Sequence, residues 1–307
     1  MTMFTEVDRT EVDRTLGFAI LDRHARGRLV RLGPVLDQIL AAHAYPPALE
    51  RVLAEALALT ALLGSTLKED SGQMTLQAQT EGGVVDLLVC DYQGGALRGY
   101  LRYDAERFAA MPADPSLFAL FGTGYLAITF DQAVTGERYQ GIVPLEGASL
   151  ADAAQSFFAQ SEQIPSLVRL YHRADRGGGI AGGVLLQHLP EGEQGRDRLH
   201  TRLDHPEWQH VEALAATVTA AELTDADLPL ETLVWRLFHE EGEIRVLGGA
   251  QISRGCRCSA ERIIDVLSRF PADEQAEMAD ADGVVRVDCA FCAISHPIPL
   301  DRLSRAD

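Results

Sequence analysis

The chain is 307 residues long, 47% hydrophobic and 23% charged, with 45 acids against 27 bases and a formal net charge of −18. That length gives room for roughly two domains of ~150 residues, and the composition excludes both disorder and, with no apolar run near the ~20 residues of a bilayer span, a membrane helix. The acidity argues against a general nucleic-acid binder, whose affinity comes from clustered positive charge: the bases are one lysine, Lys68, and otherwise arginines, and residues 251–307 hold seven arginines against ten acids.

The leader MTMFTEVDRTEVDRT is polar and acidic and lacks the basic and then apolar stretches of a secretory signal, so the expected compartment is the cytoplasm, where thiols stay reduced. Its repeat of EVDRT at 6–10 and 11–15 is too short for a structural unit and reads as a frayed, duplicated leader. Over 34–67, Pro34 opens one helical segment and Pro46 and Pro47 open a second, rich in Ala and Leu. From residue 73 the pattern turns to short alternating segments, QMTLQAQ, DLLVCDY and ALRGYLRYD, split by EGG and QGG, and continues through YLAITFD and RYQGIVPL with Thr135 and Gly136 near the turn; this predicts a meander of antiparallel strands. Ser149 with Asp152 starts an amphipathic helix over 150–163 that ends near Pro165, and VLLQHL supplies one more strand, closing an α+β domain near residue 190.

Residues 191–205 are charged and turn-like and mark a boundary. Beyond them lie two modest helical patterns, about 207–222 and 229–241, neither self-sufficient, and then EIRVLGG. Next, Ser259 caps a short helix, Pro271 starts another, and GVVRVDC is a strand. The expected organisation is an N-terminal α+β core over 1–190, a helical linker over 191–248 and a small C-terminal module over 249–307.

That module holds four of the five cysteines, Cys256 and Cys258 as C-x-C and Cys289 and Cys292 as C-x-x-C. Two close-set thiol pairs separated by one small folded unit are what a tetrahedral all-thiolate zinc site needs, one ion per chain. The residues between the pairs are too poor in apolar side chains to fold alone, so the metal would supply most of the folding energy. Such a site has two uses: an inert knuckle, or a switch in which oxidant attacks the thiolates and each adjacent pair can close, the C-x-C pair into a small, strained ring. Spacing alone leaves both open.

The C-x-C, about thirty residues, then C-x-x-C resembles the redox-regulated 33 kDa heat-shock chaperonin family. The likeness extends to GQMTLQAQTEGGVVDLLVCDYQGGALRGYLRY, YQGIVPLEGASLADAAQSFFAQSEQIP, AGGVLLQHLP, PLETLVWRLFHEE and RVLGGAQISRGCRCSAERI. It implies an ATP-independent holdase, not an enzyme, inactive when reduced and zinc-bound through Cys256, Cys258, Cys289 and Cys292. On oxidation the disulfides Cys256–Cys258 and Cys289–Cys292 would form, zinc would leave, the module and linker would unfold, and a homodimer would capture unfolding client proteins. The tail AISHPIPLDRL departs from the family's pattern, two prolines standing where an aromatic strand is expected, and leaves the last strand unassigned.

Other signals carry less. Cys90 alternates with apolar neighbours and reads as a buried, inert thiol. Gly177–Gly182 fits G-x-G-x-x-G but precedes a strand, so it reads as a turn and not as a nucleotide loop. His296 could replace a ligand, but four cysteines already fill a tetrahedron. His200, His205 and His210 read as solvated surface. Phe157 and Phe158 read as core, while Trp208 and Trp235, on linker helices, are candidates for client contact. A zinc knuckle on nucleic acid and a thiol oxidoreductase using Cys289 and Cys292 are the competing classes, disfavoured by the acidity and by the lack of a βαβ pattern. No Ser, His and Asp arrangement, paired carboxylates or phosphate loop stands out.

Overall fold

Residues 47–64 carry only Glu50, Arg51 and Glu55 as charged groups, and a helix so nearly hydrophobic all round is stable only when covered on most of its surface. The computed structural model, which describes residues 12–67, 71–175, 178–189 and 203–303, is built around that requirement. In chain order, β1 (Arg14–Ile20), β2 (Ala25–Leu32), α1 (Pro34–Leu40) and α2 (Pro47–Gly64) come first, followed by β3 (Gln73–Glu81), β4 (Val85–Gln93) and β5 (Ala96–Tyr103). Short helices α3 (Ala105–Ala109) and α4 (Leu117–Phe121) lead to β6 (Thr123–Asp131) and β7 (Arg138–Pro144), then α5 (Leu150–Phe157), β8 (Ser166–Asp175) and β9 (Gly178–His188). Helices α6 (Pro206–Ala215), α7 (Ala220–Leu223) and α8 (Leu230–Phe238) precede β10 (Ile244–Leu247) and β11 (Ser253–Arg254). The C-terminal part comprises α9 (Ala260–Leu267), α10 (Ala272–Met278), β12 (Val284–Asp288) and β13 (Ser295–Pro299).

The expected α+β class holds, with two large sheets in place of one meander. One has the order β11-β5-β4-β3-β6-β7 and the other β10-β1-β2-β9-β8; apart from the parallel β11–β5 edge, all neighbours are antiparallel. Helix α2 lies between them, touching β3, β4 and β5 on one side and β2, β8 and β9 on the other, and 14 of its 18 residues are buried. Strands β1, β2 and β8 were not legible as strands. The stretch 150–163 is helical as expected from its capping box, but it changes at Phe158 into a π-helical turn, Phe158–Glu162, that carries Phe158 into the core beside Phe157.

Two readings are corrected. The second EVDRT copy is not frayed where it is described: Asp13 accepts the main-chain N–H groups of Gly33 (2.8 Å) and Val35 (3.1 Å) at the start of α1, and Arg14 begins β1 and pairs with Glu231; the first copy lies outside the described residues. The glycine run is no turn from Gly178 onward but the start of β9. Gly182 has a steric reason to be glycine, since a Cβ there would come within 2.2 Å of the Leu223 carbonyl oxygen at the end of α7.

That contact belongs to a second core. Helices α6, α7 and α8 cover the face of the β1-β2-β9-β8 sheet opposite α2, burying Phe18, Leu29, Val184 and Leu186 against Trp208, Val211, Leu230, Leu233 and Phe238. Trp208 is 1% exposed, whereas Trp235 is 62% exposed. Each of these helices falls short of the ~12–15 residues at which a helix is even marginal alone, so the sheet supplies their stability. Fully buried Arg31, on β2, donates to the main-chain carbonyls of Glu222 (3.1 Å), Leu223 (3.1 Å) and Leu228 (2.6 Å), satisfying the end of α7 and the loop after it. The charged stretch expected at the boundary, 191–205, lies outside the described residues up to 202.

Arg31→Met is expected to leave α2 and its two sheets intact while destabilising α6–α8 by about 3 kcal/mol, because buried carbonyls lose their donor at ~1–3 kcal/mol each and part is regained by no longer desolvating a guanidinium. Hydrogen exchange by mass spectrometry reads this directly. Unchanged protection over 206–238 would contradict the role given to Arg31.

Candidate metal centre

Strand β11 positions the first cysteine pair. Ser253 and Arg254 pair in parallel with Ala96 and Leu97, and the Gly255 N–H continues the ladder to the Leu97 carbonyl at 2.9 Å. Gly255 lies so close to β5 that a Cβ would meet Ala96 Cβ at 2.4 Å. Cys256 and Cys258 follow at once, and Ser259, whose Oγ accepts the Arg262 N–H at 3.2 Å, begins α9.

The second pair sits in the turn between β12 and β13, whose antiparallel register runs from Val284↔Pro299 to Asp288↔Ser295. Cys289 N–H donates to the Ile294 carbonyl (3.0 Å), Ala293 N–H donates to the Cys289 carbonyl (2.8 Å), and Ala293 takes a left-handed conformation with φ 56°. The prolines of the tail do not prevent β13: Pro297 and Pro299 lie on a two-stranded ribbon, where a strand with one free edge tolerates a missing donor.

All four expected sulfurs converge within 4.8 Å of one another. Cys256 Sγ lies 3.3 Å from Cys258 Sγ and 3.5 Å from Cys289 Sγ, and Cys258 Sγ lies 3.5 Å from Cys292 Sγ. The edge of a tetrahedron with metal–sulfur bonds of ~2.3 Å is roughly 3.8 Å, so the four thiols can hold one metal ion. His296 is not an additional member of this set; its Nε2 lies 3.4 Å from Cys258 Sγ, where an imidazole supports a ligand from outside. Burial disfavours the Cys256 thiolate, but the Cys258 backbone and the neighbouring thiols outweigh burial and bring its pKa down to about 7. Burial and the shared hydrogen bonds push Cys258 and Cys292 the other way. Cys90 is fully buried, burial and Asp91 raise its pKa, and it takes no part in the cluster.

Sequence reasoning missed what lies between the cysteines. Arg257, inside the C-x-C, reaches into the β11-β5-β4-β3 sheet, where it pairs with Asp91 at 3.1 Å and donates to Gln73 (3.0 Å) and to Gln93. Asp91, 4% exposed, also takes both Nε and Nη2 of Arg98 (2.8 and 2.6 Å) and the Thr75 hydroxyl (2.7 Å). Burial and the neighbouring Arg98 charge lower the Arg257 pKa, and Asp91 opposes them. Inside the C-x-x-C, Phe291 packs with its ring 3.9 Å below the Arg98 guanidinium and edge-on to Tyr100 at 4.9 Å, while the Ala290 carbonyl lies 2.9 Å from His43 Nε2. The intervening residues of both pairs therefore dock the module onto the core.

The fold and the site define a class: an α+β protein whose two-sheet core carries a small, docked module organised by four cysteines. A model of the Hsp33 protein family matches residues 13–297. Proteins called 33 kDa chaperonin are similar over nearly the whole chain: one from Caulobacter vibrioides is 42% identical over 289 residues, covering 92% of this chain and 93% of its own. Another from Ectopseudomonas mendocina is 40% identical (90% and 88% covered), and one from Yersinia pestis 36% identical (91% and 90%). The crystal structure of the 33 kDa chaperonin from Thermotoga maritima matches the fold with a TM-score of 0.76 over 95% of this chain and 96% of that one, at 23% identity. The chain belongs to the Hsp33 family and is an Hsp33-type chaperone.

Arg257→Met should leave the affinity of the four sulfurs for metal within a few-fold of the parent chain yet weaken docking by about 2 kcal/mol, the value of a charge-assisted hydrogen bond. Asp91→Asn should cost more, about 3 kcal/mol, because two guanidiniums then face each other without a full charge between them. Protection of 253–303 from proteolysis, compared with α2, reports docking. Equal protection in both variants and the parent would refute the clamp.

Proposed function

We propose that this chaperone is a redox-regulated holdase whose switch is the four-cysteine module, with residues 1–190 as the chaperone core, 191–248 as the linker and 249–307 as the switch. One observation carries the reading: the peptide units that hold the sulfurs are the same ones that clamp the module to the core, through Arg257 and Phe291. The linkage between sulfur chemistry and docking is thus covalent and one residue long.

Cys256, Cys258, Cys289 and Cys292 would hold one zinc ion, which suits an all-thiolate tetrahedron and, when bound, keeps the sulfurs as thiolates and supplies the module's folding energy. The protein's own apolar contribution there is small, since Leu267, Val285, Ile298 and Leu303 make up the module's buried cluster. On exposure to a peroxide, the thiolates of Cys256 with Cys258 and of Cys289 with Cys292 each give up two electrons and form one S–S bond, while one peroxide per pair has its O–O bond cleaved, takes up two protons from solvent and leaves as two waters. Disulfide sulfurs no longer act as thiolate ligands, so the site is dismantled, the metal is released and the module unfolds. The connection back to α8 runs through β11 and β10, and short helices that depend on the sheet then lose one of their anchors.

Release of α6–α8 uncovers Phe18, Leu29, Val184 and Leu186 on the sheet and Trp208 and Phe238 on the helices. An apolar face of this kind suits unfolding client chains, and the net charge of −18 keeps it soluble. The active form is read as a homodimer, cytoplasmic, without enzymatic activity and without nucleic-acid or membrane partners. No helix of the described residues is long and apolar enough to cross a membrane.

Peroxide with mild warming should release about one zinc per chain, consume four thiols while Cys90 stays reduced, and suppress aggregation of a denatured client without ATP. Zinc release by chromogenic chelation, thiol counting and light scattering on the same samples test this. Oxidised protein that leaves client aggregation unchanged would sink the holdase reading, and oxidation of Cys90 in place of a module thiol would sink the assigned pairing.

A further inference from the structure

We propose a second metal site, separate from the sulfurs, built from His188, His205 and Glu207 and suited to a divalent transition ion that prefers nitrogen and oxygen donors, such as zinc. His188 ends β9 and is buried; His205 and Glu207 open α6. One donor atom from each lies within 4.8 Å of the other two. Tetrahedral ligands at ~2.1 Å from an ion are roughly 3.4 Å apart, which small side-chain rotations can reach from that spacing.

The hydrogen bonding here is incomplete. His205 Nδ1 accepts the Glu207 N–H at 3.3 Å at the start of α6, which puts the ring proton on Nε2; an ion takes the Nδ1 lone pair in place of that long bond, or Nε2 once the ring proton has left it. Glu207 Oε2 is buried with no hydrogen-bond partner among the described residues. Arg23 feels the charge of Glu207, but its guanidinium is held by Glu241 at 2.7 Å, and Glu241 also takes His210 at 2.7 Å. The His188 and His205 rings lie 5.0 Å apart, and His188 lies 6.0 Å from the Trp208 ring. Two imidazoles and one carboxylate, partly withdrawn from water in a chain of strongly negative charge, make a three-ligand set.

The donors come from two elements whose association is conditional. An ion bound here requires α6 to be docked on β9, so it stabilises the packed linker by mass action and is lost when α6 leaves. This inference stands on the three side chains and not on the redox reading of the sulfurs.

The test uses the full-length, reduced chain already holding one equivalent of zinc, in a Trp235→Phe background that leaves Trp208 as the one remaining tryptophan. Cobalt(II) is titrated in. One further equivalent should bind with weak d–d absorption, without thiolate-to-cobalt charge transfer, and should quench Trp208 emission. Glu207→Gln, nearly isosteric, and His205→Asn, which keeps a cap at the α6 N-terminus, should each weaken that binding by ~10-fold or more, given that even outer-shell losses cost 10–100-fold. Circular dichroism and Trp208 emission before cobalt establish that both variants are folded. The proposal is overturned if the parent takes up no second equivalent, if cobalt appears only with charge-transfer bands and so has exchanged into the thiolate site, or if both variants bind as the parent does.

Discussion

The structure of the C-terminal module rests on the closure of four sulfurs. Elsewhere in the chain stability comes from area: α2 is enclosed between two sheets, and a second apolar layer sits under α6–α8. Among the described residues the module's hydrophobic cluster has four buried side chains, with six more partly buried against them, a small area to set against the backbone entropy of ordering helices α9 and α10 and the β12–β13 ribbon. What brings its two halves together is the approach of the C-x-C loop after β11 to the C-x-x-C turn after β12. A fold whose cohesion is concentrated in four atoms is vulnerable to chemistry at those atoms in a way that a distributed core is not.

Two buried charges, Asp91 and Arg31, decide where the segment after β11 and the helices α6–α8 sit. Asp91 collects Arg98, Arg257 and Thr75 at the surface of the β4–β5 pair, and Arg31 collects three carbonyls under α7. Buried ionic and charge-assisted contacts add little net stability compared with apolar packing, but breaking one partner is costly. They therefore specify one docking geometry and penalise intermediate ones, which makes each docked segment behave as either seated or released. Gly182 and Gly255 serve the same geometry by permitting α7 and the cysteine loop to approach the sheets at main-chain distance.

Much of this was legible in the sequence. The cysteine spacing, the Ser149 capping box, the Ser259 cap and the alternating strands β3 to β7 each carry a local signature, and the structure has them in place. Strands β1, β2 and β8 lacked one because their sheet is covered on both faces, by α2 and by α6–α8, so RTLGFAI and ARGRLVRL show no clean period of two. Buried Arg31 breaks the pattern further, its partners lying about 190 residues away in sequence. The glycine run misled for a related reason: glycine marks a turn when read locally, but Gly182 answers to a helix end more than 40 residues downstream. Likewise His205, read as solvated surface, lies close to His188 across the boundary and to Glu207, a juxtaposition that no local signal shows.

The choice between an inert knuckle and a switch, open on spacing alone, turns on the residues between the cysteines. An inert knuckle needs its intervening positions only for turn geometry, and these can face solvent. Here Arg257 spans to Asp91, and Phe291 is held between Arg98 and Tyr100, while Ala290 presents its carbonyl to His43. A disulfide across one intervening residue imposes a tight ring on that residue's backbone, so closing Cys256 onto Cys258 must reorient Arg257, whose hydrogen bonds depend on direction as well as distance. In the proposed switch, oxidation of the Cys256–Cys258 pair would therefore act on the dock as well as on the metal ligands, and the two effects would have the same sign.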